Sequence, residues 1–275
     1  MALQVSKLIT YPIKSLAGIE LQEAKVESRG LQYDRRWMLV NANKVHMTQR
    51  EFRQMALLQP TIEGDTLHVR HKQEASISFS FSMSEHLSEK LTVTVWDQPC
   101  MAHEVSKEAS NWFSAQLGVS CQLVYMPDNS VRPTDPDFSA NDDDKVSFAD
   151  GYPILIFDEA SIDLISERSG QDIPADRFRA NIITKGGHAH IEDELKRFSI
   201  GNLDFHGAKP CTRCILTTID QETGVGGQEP LKTLATYRKK DNKIKFGMNV
   251  IPMSLGSIRL GDALDVKESI EPIAF

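Results

Sequence analysis

The sequence predicts a mostly β protein with a few helices, an α+β chain built as two β-rich domains. Three observations carry that prediction. Short runs alternate apolar and polar residues with period two, which is the pattern of strands with one face on a core. Helical periodicity is confined to a few short, capped stretches. A central stretch, Pro127 to Asp150, has neither period and is filled with prolines and acids.

Leu3, Val5, Leu8 and Ile9 form the first strand, and Leu21, Ala24 and Val26 form a second, broken one. Trp37-Met38-Leu39-Val40 is a short buried run closed by the turn residues Asn41 to Lys44. Leu67 and Val69, then Ile77, Phe79 and Phe81, then Leu91, Val93 and Val95 alternate with polar residues. Such short strands with turns between them suggest a barrel or sandwich. A helix over Ser106 to Leu117 interrupts them, with Ala109, Phe113 and Leu117 on one face and Gly118 suited to its C-terminal cap. A strand at Cys121 to Tyr125 completes the first domain, residues 1–126. Residues 127–150 read as a linker that cannot bury much; a single long surface loop is the alternative.

The second domain spans residues 151–275. Ile154 to Phe157 is a strand, and Asp158 opens a helix that stops at Gly170. Asn181 to Thr184 is a strand and Phe198 to Phe205 a hairpin. Ile215 to Ile219 is β-branched and reads as a strand following Cys214. Gly224 to Gly227 is a flexible loop, and Pro230 precedes a short helix at Leu231 to Ala235. Phe246 to Pro252 and Ser257 to Val266 close the chain as strands.

With 275 residues, 40% hydrophobic and 25% charged, the composition is globular. A net charge of -7 argues against a nucleic-acid binder. No apolar run is long enough to span a bilayer, so no membrane association is expected. The N-terminus shows no uninterrupted apolar segment of a signal peptide. The four cysteines do not read as a disulfide framework, and a reducing cytoplasm is the expected location.

Chemistry is advertised at Lys209-Pro210-Cys211-Thr212-Arg213-Cys214. Thiolates are soft metal ligands and nucleophiles, and neighbouring cations favour the ionised form. Three readings are open. A structural zinc site wants four ligands, with His188 and His190 as the available partners. A dithiol of the thioredoxin kind needs a helix after the pair. The third reading is a single thiolate acting as ligand or nucleophile, and two semi-buried structural cysteines are the bland alternative. Elsewhere polar clusters stand at strand ends: Lys14-Ser15, Asp34-Arg35-Arg36, and Arg177-Phe178-Arg179-Ala180-Asn181. Each is unremarkable as a charged turn. Together with Arg213 they suggest a pocket for an anionic polar cofactor, since guanidinium forks suit phosphate. Arg238-Lys239-Lys240 with Lys243 and Lys245 reads as a solvated loop, or as a docking patch for an acidic electron carrier.

These motifs resemble the MOSC family, in the branch that carries an N-terminal MOSC-associated β-barrel and includes the mitochondrial amidoxime-reducing component and its bacterial relatives. The resemblance runs through Tyr11 to Leu16, Asp34 to Trp37, Phe148 to Pro153, Phe178 to Asn181, and Arg213 to Asp220 with Glu222-Thr223-Gly224. It implies an N-terminal MOSC-associated barrel, a C-terminal MOSC barrel, and a molybdenum cofactor (molybdenum–molybdopterin). It implies that Cys214 is the protein's molybdenum ligand and catalytic residue. Lys14, Ser15, Arg35, Gly151, Tyr152, Arg179, Asn181, Thr212 and Arg213 match positions that hold the cofactor's phosphate and pterin, with Asn249 a further pocket residue. Gly151 and Tyr152 replace the small hydroxyl residues expected there, which leaves a backbone contact. Pyridoxal phosphate binding is a second association that the resemblance carries.

The implied activity is reduction of small N-hydroxylated compounds (hydroxylaminopurines, amidoximes, hydroxylamines) to amines. With no ferredoxin-type cysteine motif in the chain, electrons are expected from a separate donor protein of flavoprotein, ferredoxin or cytochrome type. The alternatives are a non-catalytic carrier of molybdenum cofactor or sulfur on Cys214, and a zinc or redox module built on Cys211 and Cys214.

Overall fold

Alternation becomes strand wherever a core is available to take the apolar face. A computed structural model describes residues 2–275. Its largest sheet runs in the order Leu264–Ser269, Leu195–Ile200, Leu203–Arg213, Lys243–Pro252, Ile154–Asp158, Ile182–Lys185, Gln4–Thr10, Ile19–Leu21, with Lys239–Lys240 paired onto Lys243–Pro252. Its core gathers Leu8, Val26, Ile156, Ile182, Phe198, Phe205 and Val250. The first-half strands form smaller sheets: Trp37–Val40, Gln122–Tyr125, Gln98–Glu104 and Lys90–Val95 in one, and Leu58–Glu63, Thr66–His71 and Ser78–Ser82 in another. They enclose Leu16, Trp37, Met55, Val69 and Phe113.

One strand ties the halves together. Gln4–Thr10, the first strand of the chain, pairs antiparallel with Ile182–Lys185 and so belongs to the large sheet. The division at residues 126 and 151 is therefore a division of sequence that this strand crosses. The one parallel contact among the named strands, Ile154–Asp158 beside Ile182–Lys185, is bridged by the helix Glu159–Ser169. A parallel pair needs such a crossover. Both longer helices carry the expected signals: Ser106 and Asp158 cap the N-termini with their side chains, and Gly118 and Gly170 adopt left-handed conformations at the C-termini.

The segment over residues 127–150 departs from expectation. It is irregular apart from a turn of 3-10 helix at Pro136–Phe138 and an antiparallel bridge between Pro133 and Lys145, yet Ser130, Arg132, Thr134, Val146, Ser147 and Phe148 are buried. Arg132 makes this possible. Its guanidinium donates to the carbonyl oxygens of Ser147, Ala149 and Asp150. One buried cation thereby satisfies three backbone groups that no ladder serves, and Phe148 inserts among Met38, Val93 and Val124. The connection is packed structure, not a loose linker.

The long strand Leu203–Arg213 also differs from the prediction, because it carries Cys211 and ends just before Cys214 instead of following the pair. Its ladder with Lys243–Pro252 shifts register between Gly207 and Lys209 and again between Pro210 and Thr212. Pro210 has no N–H to lose, so it suits an irregular ladder. At Gly207 a Cβ would lie 1.8 Å from the Leu195 carbonyl oxygen, so the position admits only glycine. Ile215–Thr218 is a 3-10 turn. The Thr217 and Thr218 hydroxyls donate to the carbonyls of Cys214 and Ile215, and these local bonds override the β propensity of the run.

Candidate functional site

All eleven residues singled out from the sequence line one cleft: Lys14, Ser15, Arg35, Gly151, Tyr152, Arg179, Asn181, Thr212, Arg213, Cys214 and Asn249. The cleft lies where the ends of Gln4–Thr10, Ile154–Asp158, Ile182–Lys185 and Leu203–Arg213 meet the first-half turns. Its lining also includes Thr48, Arg50, Trp96 and Asp150, which the sequence did not mark.

The floor is a network centred on Asp34, whose side chain is fully buried. Its carboxylate accepts from the Tyr11 backbone N–H at 2.9 Å, from Asn181 Nδ2 at 2.9 Å, and from Arg35 Nη1 at 2.6 and 2.8 Å. Arg35 Nη1 also reaches Asn181 Oδ1 at 3.2 Å, and its Nη2 donates to the Arg179 carbonyl at 3.1 Å. Asn181 is saturated. Its amide donates to Ile9 O and Asp34 and accepts from the Leu155 N–H and Arg35, which uses all four sites. Asn181 therefore positions the floor; it has no bond left for a ligand. The charged turn with a local Asp–Arg pair and the cationic pocket are one structure.

Arg179 is buried and donates Nη1 to the Leu16 carbonyl at 2.7 Å, while its Nη2 has no partner. The Arg35 and Arg179 guanidinium carbons lie 4.4 and 4.3 Å from the centre of the Tyr11 ring. Burial, with Arg35 close by, brings Arg179 down to about 10, so it remains a cation at neutral pH. Burial pushes the Tyr11 hydroxyl up to about 12, so it stays protonated. Lys14 donates to the Phe148 carbonyl at 2.8 Å and to Asp150 at 2.6 Å. Burial lowers the Lys14 ammonium below its ordinary value. The Lys14 ammonium and the Trp96 indole N–H hold the exposed Asp150 carboxyl below the usual carboxylate range.

Four residues of the lining have left-handed backbones without being glycine: Ser15 (φ 68°), Arg35 (48°), Trp96 (60°) and Arg179 (56°). Each costs about 1–2 kcal/mol in an L-residue. Such strain persists only where the surroundings over-determine it, and it clusters at functional sites.

The rim is different in kind. Along Cys211 to Cys214 exposure alternates, so Thr212 and Cys214 are exposed while Cys211 and Arg213 turn partly inward. Arg213 donates Nη1 to Cys211 Sγ at 3.1 Å and Nη2 to the Phe178 carbonyl at 2.6 Å, and its guanidinium lies over the Phe178 ring. Phe178 packs in turn on Phe157 and Phe246. Arg213 Nε has no partner. Cys211 thus acquires a role the sequence left blank: it holds the arginine beside Cys214. Thr212 accepts from Lys245 Nζ at 2.7 Å, and Asn249 donates to the Lys209 carbonyl. Tyr152 is buried beside Lys209, and a Cβ at Gly151 would meet no atom within 4 Å, so that backbone opens on free space.

Two further expectations resolve. Among the described residues no three His, Cys, Asp or Glu side chains converge as a metal site, and His188 and His190 pair with Glu194 and Glu192 outside the cleft. The basic run is a hairpin, not a loop. Arg238 is buried in an ion pair with Asp193 at 2.6 Å, while Lys239, Lys240 and Lys243 are exposed on a hairpin whose second strand, Lys243–Pro252, pairs with Thr212 and Arg213.

Residues 2–120 match the MOSC N-terminal beta barrel domain and residues 143–265 the MOSC domain. The chain is 30% identical over 276 residues to mitochondrial amidoxime-reducing component 1 of Mus musculus, covering 94% of this chain and 80% of that protein. It is 28% identical over 249 residues to molybdenum cofactor sulfurase of Drosophila melanogaster, covering 89% of this chain and 31% of the sulfurase. The crystal structure of the YUAD protein from Bacillus subtilis is similar over 98% of both chains, with a TM-score of 0.46 and 12% identity.

Proposed function

The chain belongs to the MOSC family, with the N-terminal MOSC β-barrel domain ahead of the MOSC domain, and on that premise we propose that it is a molybdenum-cofactor-dependent reductase of N-hydroxylated compounds. The observation that carries the proposal is the composition of the cleft. Lys14, Arg35, Arg50, Arg179 and Arg213 line it, with Asp150 the only acid on its surface among the described residues and Asp34 buried beneath, in a chain of net charge -7. Cys214 lies exposed at the same site.

The donor set fits an anionic, oxygen-rich cofactor with a thiolate-ligated metal. Arg179 Nη2 and Arg213 Nε are buried donors without partners, and buried donors normally find one. The open backbone at Gly151 leaves room for a group to approach. Cys214 would ligate the molybdenum, while Arg35, Arg179, Arg213 and Lys14 would neutralise phosphate and pterin, with Ser15, Thr212, Tyr152 and Asn249 around them. When bound, the cofactor supplies the two-electron removal of a hydroxyl oxygen that no side chain can perform. Asp150 is held as a carboxylate, so it does not donate the protons that leave as water. Electrons would come from a separate acidic donor docking near Lys239, Lys240 and Lys243; raised salt should slow reduction by such a donor and leave reduction by viologen unchanged.

The test is composition followed by turnover. Protein made in a host able to synthesise the cofactor should contain stoichiometric molybdenum and yield the fluorescent oxidised pterin. It should then reduce an N-hydroxylated base with reduced viologen as donor. Stoichiometric zinc without molybdenum or pterin overturns the proposal. Molybdenum and pterin without turnover leaves the carrier role, which the similarity to the sulfurase supports.

A further inference from the structure

Trp96 is the most conspicuous residue of the cleft that the cofactor reading leaves unused. It lies between the strands Lys90–Val95 and Gln98–Glu104, and 46% of its surface is exposed. The turn places it at φ 60°, a conformation that favours glycine or asparagine. A large apolar side chain is thus strained and exposed at once, and local folding rewards neither condition. The other tryptophans are buried or partly buried.

The ring is nonetheless fixed. Its indole N–H donates to Asp150 Oδ1 at 3.2 Å, which links it to Lys14. Its backbone N–H donates to His46 Nδ1 at 3.3 Å, and the His46 ring packs against it with centroids 5.1 Å apart. The Arg50 guanidinium lies over the indole, 4.3 Å from its centroid, and Arg50 Nε donates to Thr48 Oγ1 at 3.3 Å. Trp96, Arg50 and Thr48 all line the cleft that holds Cys214. The first half of the chain therefore presents a held aromatic plane, already carrying one planar cation, toward the thiol presented by the second half.

We infer that the Trp96–Arg50 pair is the substrate platform: a planar aromatic N-hydroxylated compound stacks on it, and Arg50 meets the compound's oxygen. An indole offers a π-face that stacks with any flat ring, and a guanidinium can stack and hydrogen-bond together. The pair would thus select flat aromatic substrates over small aliphatic ones. This inference rests on the reductase reading for turnover, and on geometry alone for binding.

Two measurements test it. Titration of the protein with an N-hydroxylated purine should quench tryptophan emission, and the quench should vanish in Trp96→Phe, where only Trp37 and Trp112 remain to report. In steady-state assays with viologen, Trp96→Ala should raise KM for the purine about 10-fold, the scale of one base–aromatic stack. KM for a small aliphatic hydroxylamine should change far less, and Trp96→Phe should recover most of the loss. Equal effects on both substrates, or a quench that survives in Trp96→Phe, overturns the inference. A Trp96-dependent quench without turnover in wild type would uphold the platform and defeat the reductase; turnover without that quench would do the reverse.

Discussion

The floor of the cleft and its rim are built on opposite principles. The floor is buried, saturated with hydrogen bonds and held in strained backbone, with Asp34, Arg35, Asn181 and Arg179 fixing one another. The rim is an exposed strand end running into a four-residue turn, where Cys214 and Ile215 face solvent. Charge that must be in place before a ligand arrives is fixed by folding itself, which lowers the ordering cost of binding. The thiol that the proposed function assigns to the metal is left free. Changes on the rim should therefore alter chemistry with little effect on stability, and changes in the floor should alter stability first.

The largest expected effect is at the rim. Cys214→Ser should lower turnover on the order of 100-fold or more and release molybdenum, because a hydroxyl is a poor soft-metal ligand. Its thermal unfolding should match that of cofactor-free wild type; unaltered turnover would remove Cys214 as the ligand. The mirror experiment is Asp34→Ala in the floor. It leaves the partly buried Arg35 without its anion, and Asn181 and the Tyr11 N–H without their acceptor, and should cost about 2–4 kcal/mol in denaturant unfolding. A loss below about 1 kcal/mol would mean the floor is not the fixed element described here.

A pH dependence sharpens the same contrast. Burial, reinforced by nearby Lys14, holds His46 down at about 4 against an ordinary 6.5. The unfolded chain then binds the proton first as pH falls. Stability is thus fully present above about 6.5 and declines between there and about 4, by ~2–3 kcal/mol. His46→Gln should flatten that decline in urea midpoints measured across the window, and an unchanged slope would assign it to other groups. The smallest effect is expected for Cys211→Ser, which keeps an acceptor beside Arg213. Turnover should fall only a few-fold, about the worth of one hydrogen bond; a loss equal to that of Cys214→Ser would restore the paired-cysteine site.

Local signals were legible because their causes are local. Ser106 with Gly118, and Asp158 with Gly170, mark helix ends by their own side-chain and backbone chemistry. Alternation located most strands, although Ser257 to Val266 divides into Gly256–Arg259 and Leu264–Ser269. The family motifs brought the site residues together before any geometry did. The errors arose where hydrogen bonds overruled composition. Thr217 and Thr218 turn a β-branched run into 3-10 helix through hydroxyls that could equally have faced outward. Arg132, one arginine in an acidic stretch, buries its surroundings by serving carbonyls 15 to 18 residues ahead. Trp96 and Arg50 gave no signal, since nothing local says that an exposed turn will face a thiol on a distant strand.

The first strand of the chain has a consequence for biosynthesis. Residues Gln4–Thr10 leave the ribosome about 170 residues ahead of their partner strand Ile182–Lys185. At about 5–20 residues per second, that edge waits roughly 10–30 s with only Ile19–Leu21 beside it. An unpaired apolar edge recruits whatever strand it meets. The nascent chain is therefore most exposed to misassembly before Ile182–Lys185 is made, and a chaperone held over Gln4–Thr10 should raise the yield of folded protein more than any stabilisation of the finished sheet.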